Sequence, residues 1–291
     1  MDFNNKSVTA VVVTYNRLNF LKEIINAIRN QTKKIDNIIV VDNSSTDGTS
    51  NWLNEQDDIF VIRQENVGSS GGQYTGIKAA FDKGTEWIWT MDDDVVPAPN
   101  CLEILLEKDD NNLVRVPLRY KPDGQPFYND AIKYNLTNPF RKFWQGLISE
   151  NHLKDKFISV EGITFEGPLF HRSVVERIGL PEKKFFIFGD DTEYFLRVKK
   201  FNIKIEICRD ARLNRKLDVL PLKKIQSSKK FYFVRNLIAI NVLHGSLSVR
   251  IFRPLIILII WLFRIRSIAD IKYTLKGFFH GYFYKSENPP F

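Results

Sequence analysis

Apolar residues in the first hundred positions follow two alternating patterns. Ser7 to Thr14 and Ile38 to Val41 are short, β-branched and almost continuously apolar, as in strands buried on both faces. Between them Leu21, Ile24, Ile25 and Ile28 recur at helical spacing within Leu18 to Asn30. The alternation continues with a helix opening at Thr46-Asp47-Gly48 and running to about Leu53, and a strand from Phe60 to Arg63. A glycine–serine loop follows from Gly68 to Gly72, then a helix from Tyr74 to Asp82 and a strand from Glu86 to Met91. Strands alternating with helices predict an α/β fold, a mostly parallel sheet with helices on both faces.

Beyond residue 110 the pattern thins. Leu113 to Leu118 and Ile158 to Phe165 read as strands, and Arg119 to Asn138 as loop with a turn at Lys121-Pro122-Asp123-Gly124. His171 to Ile178 reads as a short helix. Phe185 to Phe188 reads as an aromatic strand leading into a helix with Tyr194, Val198 and Phe201 on one face.

In parallel sheets ligands bind beyond the carboxyl ends of the strands, and polar residues cluster there. The run Trp87 to Met91 ends in Asp92-Asp93-Asp94. Adjacent carboxylates repel one another unless water or a cation intervenes, and a hard divalent cation shared with substrate phosphates suits them. Strand alternation lets Asp92 and Asp94 reach one ion while Asp93 points elsewhere; the bland alternative is a solvated acidic turn. Asp42 and Asn43 end the second strand, and Asp42 is suited to a base N–H or a ribose hydroxyl. Thr14, Tyr15 and Asn16 offer groups to a nucleotide, and Arg17 to a phosphate. Asn66 with Gly68, Gly71 and Gly72 allows backbone N–H groups to approach an anion at a helix start, or forms a plain connector. The dinucleotide fingerprint spacing is absent.

Charge divides the chain. The 291 residues carry a formal +8, yet from Pro221 to the end twelve Lys/Arg face two acids, so that segment is +10 and residues 1–220 sum to −2. A basic, aromatic, helical C-terminal region, 221–291, suggests an anionic surface as its partner. Residues 251–284 interleave apolar and basic side chains, as helices lying in a membrane interface do. The longest apolar stretch, Leu255 to Phe263, is too short to span a bilayer. No signal peptide is expected, because the run Val8 to Val13 lacks a basic flank. Cys101 and Cys208 give neither a disulfide framework nor a metal spacing, and fit buried thiols in a reducing compartment. No nucleic-acid-binding module is evident.

Four motifs, taken in order, resemble a known family. They are Val12-Val13-Thr14-Tyr15-Asn16-Arg17, Val40 to Gly48, Glu65 to Gly72 and Met91-Asp92-Asp93-Asp94-Val95. Together they resemble family 2 glycosyltransferases of the GT-A fold, over roughly residues 7 to 240, and especially the galactofuranosyltransferase and rhamnosyltransferase branch. The resemblance implies a catalytic domain over 1–220, with a nucleotide-binding half to about 110 and an acceptor half over 111–220. It implies Asp191, in Asp190-Asp191-Thr192-Glu193, as catalytic base, Asp93 on the donor side, and Glu166, Gly167 and Asp190 on the acceptor side. The family's metal-binding His is missing from the matching stretch, Ala211 to Arg215. Asn214 is then the substitute ligand, or Arg215 supplies positive charge to the diphosphate. An aromatic-Arg-Asn element near the active site matches Phe231 to Asn236.

The implied activity is inverting transfer of a sugar to a hydroxyl of a cell-surface or polyprenyl-linked glycan. The donor is a UDP-sugar, best galactofuranose, with Mg2+ or Mn2+ as cofactor. Rhamnosyl transfer from dTDP-rhamnose is the alternative, and a sugar-nucleotide-binding or glycan-binding protein without catalysis is a second. A nucleotidyltransferase should carry a glycine-rich loop after the first strand, where this chain has Tyr-Asn-Arg. The implied location is cytoplasmic, peripheral at the inner membrane surface through the C-terminal region; a homo-oligomer is compatible with it.

Overall fold

The computed structural model describes residues 6–107, 110–218 and 226–288. The boundary placed at 220/221 falls outside the described residues. A nine-stranded sheet forms the centre. Its first half contains β1 (Val8–Thr14), β2 (Asn37–Asp42), β3 (Ile59–Arg63) and β4 (Trp87–Asp92), all parallel. The connecting helices are α1 (Leu18–Arg29), α2 (Thr49–Asn54) and α3 (Gly68–Asp82). Every residue of β1 is buried, which accounts for its unbroken apolar run. Helix α1 buries the stripe Leu21, Ile24, Ile25 and Ile28.

Strand β5 (Val95–Pro97) and helix α4 (Cys101–Leu105) lead into β6 (Leu113–Tyr120). A two-stranded hairpin, β7 (Ala131–Tyr134) with β8 (Trp144–Leu147), stands apart from the main sheet. Then come β9 (Phe157–Ser159), β10 (Leu169–His171), α5 (Arg172–Ile178), α6 (Asp190–Lys200) and β11 (Lys204–Arg215). Strand β10 joins the two halves, antiparallel to both β4 and β6. Two buried clusters cover the two faces of the sheet, one around Val11, Phe170 and Tyr194, the other around Leu21, Trp89 and Leu105.

Four local expectations are corrected. The glycine–serine segment is the start of α3, not a loop. Its glycines let the helix lie close on the sheet: a Cβ on Gly72 or Gly76 would come within 2.3 Å of Val13 or Val11. Strand β9 covers only the first part of Ile158 to Phe165; the rest is irregular backbone whose Ile163 and Phe165 are buried. Phe185 to Phe188 is not a strand. A short 3-10 turn over Lys183–Phe185 runs into left-handed Phe186 (φ 64°) and Phe188 (φ 69°). The loop reading of Arg119 to Asn138 also misses β7.

Three helices end the chain: α7 (Ser227–His244), α8 (Leu247–Leu262) and α9 (Ile268–Tyr282). Helices α7 and α9 cross closely because Gly277 and Gly281 face the α7 backbone; a Cβ on Gly281 would lie 2.5 Å from the carbonyl of Arg235. On its other side α7 packs through Ala239 and Ile240 against Phe185 and Leu196. No helix among the described residues is long and apolar enough to cross a membrane.

Candidate active site

The loops after β1 and β2 are stitched together at the carboxyl edge of the sheet. Asn16, held at φ 53°, accepts from the backbone N–H of Thr46 at 2.6 Å and donates its own N–H to Ser45. Asp42 is fully buried and accepts from Ser45 N and from the Ser50 hydroxyl. It therefore shapes the loop beside the crevice. Asn43 is buried and bonds the Gly68 carbonyl and Gln64. Tyr15 is half exposed at the rim.

The acidic turn is charge-balanced at one end only. Arg17 donates to Asp93 at 2.9 Å and to Asp94 at 2.8 Å, and Thr14 donates to Asp93 at 2.7 Å. Arg17 thus meets carboxylates in this structure. Asp92 has a single weak donor, Gln73 at 3.2 Å. Burial, with the charges of Asp94, Glu166, Asp93 and Asp190, pushes its pKa well above the carboxylate range.

A cavity of about 410 Å3 opens against Asp92 and is also walled by Asp190, Asp191, Glu166 and Arg215. The acids of β4 and of α6 therefore face one space. Two carboxylates reach it from α6 because Gly189, at φ 79°, precedes the helix and leaves Asp190 and Asp191 in the first turn. Asn236 of α7 holds the approach, donating to the carbonyls of Phe185, Ile187 and Phe188 at 2.7–2.9 Å. Arg235 adds bonds to the carbonyls of Lys184 and Phe185. The Arg-Asn pair is what keeps Phe186 and Phe188 in their costly left-handed conformation. Burial raises both acids, Asp190 to about 8 with help from the Asp191 charge, and Asp191 to about 6. Burial thus favours a proton on this pair near neutral pH.

Of the far wall, Glu166 and Arg215 were expected, but Arg119, Asp130, Tyr134 and Trp144 were not. Arg119, fully buried, pairs with Asp130 and, at 3.0 Å, with Glu166. Glu166 also lies 3.1 Å from Arg215 Nε. That contact lacks hydrogen-bond geometry, and Nη1 of Arg215 has no partner among the described residues. Tyr134 and Trp144 of the β7–β8 hairpin close the space. Trp144, to which the sequence assigned no partner, is half exposed there.

Five expected positions lie elsewhere. Asn214, expected as a metal ligand, does not line the cavity: neighbouring strand residues point to opposite faces, and it is Arg215 that faces it. Asn214 instead accepts from Arg212 at 2.8 Å and donates to Val96 O. Gly167 is a turn at φ 87°, its carbonyl taken by the Trp89 indole. Asn66 and Gly71 line a different cavity on the far side of α3, while Gly72 packs on the sheet.

The donor set fits a hard divalent cation. Around the turn and cavity stand Asp92, Asp93, Asp94, Asp130, Glu166, Asp190 and Asp191, against Arg17, Arg119 and Arg215. The excess is negative and buried, and one oxygen of Asp130 has no partner among the described residues. No group of three or more His, Cys, Asp or Glu side chains among the described residues forms a closed metal cage. Two carboxylates with open positions are what a cation shared with a diphosphate requires.

Comparison with known proteins agrees with this geometry. The family model for glycosyl transferase family 2 matches residues 9–179. A galactofuranosyltransferase, GlfT1 of Mycolicibacterium smegmatis, is 30% identical over 216 residues, covering 70% of this chain and 69% of the relative. The dTDP-rhamnosyl transferase RfbF of Shigella flexneri is 26% identical over 222 residues, covering 72% and 69%. Among solved structures, GalNAc-T7 with UDP, GalNAc and Mn2+ superposes with TM-score 0.69 at 16% identity. That match covers 98% of this chain but only 56% of the larger protein. It is a likeness of fold, of the GT-A kind.

Proposed function

This chain belongs to glycosyl transferase family 2, and from that premise we propose an inverting, metal-dependent hexosyltransferase that moves galactofuranose from UDP to a glycan hydroxyl. The observation that carries the proposal is the single cavity shared by Asp92 and Asp191. The donor lies across the strand ends, its nucleoside against Tyr15, Asn16 and the loop shaped by Asp42 and Asn43. Asp92 and Asp94 would hold Mg2+ or Mn2+, which when bound neutralises charge on the leaving diphosphate. The unpartnered Nη1 of Arg215 donates to a diphosphate oxygen, doing the work of the absent His.

The acceptor enters past Trp144 and Tyr134. Its hydroxyl meets Asp191, which is ionised at neutral pH and takes the proton as the oxygen attacks the anomeric carbon. Asp190, on the same wall, is a second carboxyl within the acceptor side of the cavity. Attack from the face opposite the diphosphate inverts the anomeric centre without a covalent enzyme intermediate. The similarity to GlfT1 favours galactofuranose, and the similarity to RfbF keeps rhamnose on dTDP as the second donor.

The acceptor we favour is a lipid-linked glycan reached from the cytoplasmic membrane surface. Helices α8 and α9 expose Ile259, Phe263, Ile268, Phe279 and Phe283, with Phe263 88% and Ile268 87% exposed. Arg264 and Arg266 lie between those two. A thermal-shift screen with UDP-, dTDP- and GDP-sugars and Mn2+ tests the donor. Stabilisation by UDP-galactofuranose above the others is the expected result; equal response to all three nucleotides contradicts it.

A further inference from the structure

A second cavity, of about 870 Å3, lies between α3 and the C-terminal helices and shares no wall residue with the acidic one. Its wall carries Lys183, Lys184, Arg235 and Lys285, together with His280, and no carboxylate. Aromatic rings supply much of the rest, among them Tyr74, Phe186, Tyr232 and Phe283.

Arg235 is 9% exposed and has no acidic partner among the described residues. Its guanidinium donates to backbone carbonyls and to Asn236, with the rings of Phe231 and Tyr232 at 5.2 and 5.1 Å. Burial lowers its pKa, the mark of a cation short of negative charge. The lysines meet one acid among the described residues, Glu287 of the exposed tail, at 3.3 and 2.7 Å from Lys183 and Lys184. Exposed pairs of this kind are worth little and are readily exchanged. An anion is thus recognised here already, by a carboxylate that a better ligand displaces.

One side of the cavity is the end of α9, where Phe283 lines the wall and is 71% exposed. Cationic groups for a head and aromatic surface for a body therefore adjoin the apolar outer face of α9. We infer that this cavity binds the phosphate headgroup of a phosphorylated lipid, with Lys183, Lys184 and Arg235 on the phosphate and Tyr232 and Phe283 on the chain. The inference does not depend on the donor or acceptor proposed above.

Titration calorimetry of the full chain with dihexanoyl phosphatidic acid, below its micelle concentration, tests it. Expected are saturable one-to-one binding, at least tenfold weaker binding of inorganic phosphate, and none of dihexanoyl phosphatidylcholine. K183S/K184S, whose lysines are solvent-exposed, should weaken binding at least tenfold, and Arg235→Gln likewise. K33S/K34S, a charge-matched pair in the turn after α1, should not. The site is refuted by absent saturation or by K183S/K184S binding as wild type. Phosphate binding as tightly as the lipid would make it a plain anion site and overturn the lipid assignment. Competition by UDP would make the cavity part of the donor site and overturn it as well.

Discussion

Asp92, at the end of β4, and Asp191, in the first turn of α6, face one cavity of about 410 Å3. One belongs to an acidic turn that Arg17 neutralises only in part. The other is carried on a helix start that α7 braces from behind. The chemistry proposed for this chain requires that pairing, and each prediction below perturbs one part of it.

Activity should depend on pH through Asp191. Its pKa is raised to about 6, and only the ionised form accepts a proton. Log kcat/KM should therefore be flat above pH 7 and fall by about one per pH unit below 6. A profile still flat at pH 5 would remove Asp191 as the base.

Arg215→Gln should weaken the donor complex. A charged hydrogen bond to the diphosphate contributes about 1.5–3 kcal/mol, so UDP affinity should drop roughly ten- to 150-fold. Calorimetry with UDP and Mn2+ measures it. An unchanged Kd would mean that Arg215 serves only to pair Glu166.

Chelation should abolish transfer, and Mn2+ or Mg2+ should restore it. Asp94→Ala should leave the fold intact, because the carboxyl is partly exposed and pairs only with Arg17. It should also raise the metal concentration needed for half-maximal rate at least tenfold. Full activity in excess EDTA would contradict Asp92 and Asp94 as ligands.

Asn236→Ala should separate stability from donor binding. It leaves the carbonyls of Ile187 and Phe188 without their amide donor, while Arg235 still holds that of Phe185, a cost of about 1–3 kcal/mol. Tm and kcat should fall while UDP affinity holds. Loss of UDP binding in a folded variant would show that α7 supports the donor half instead.

The strand–helix alternation of the first hundred residues was legible because β1, β2 and β4 are buried on both faces, and such burial writes itself as unbroken apolar sequence. The glycine-rich helix start was not. Glycine disfavours helix by about 1 kcal/mol, and only the folded structure explains its use in α3: Gly68 sits at φ 78° against the Phe186 carbonyl, Gly71 against Val67 and Gly72 against Val13. Left-handed Phe186 and Phe188 were equally hidden, since a bulky residue carries no signal for that conformation. Asp92 and Asp191 could be named because acids after apolar runs stand out. The choice of Arg215 over Asn214 needed the strand register, which pairs Arg215 with Val95 beside the acidic turn. The hairpin that supplies Trp144 lay in a stretch broken by Asn135, Asn138 and Pro139, which mask its short strands.

The most direct measurement of the central claim is single-turnover transfer by Asp191→Asn, set beside its donor affinity. With UDP-galactofuranose, Mn2+ and a glycan acceptor, the rate should fall about 100- to 10,000-fold while donor Kd stays within about twofold of wild type. A variant that turns over at the wild-type rate would contradict the pairing of Asp191 with Asp92 in one catalytic cleft.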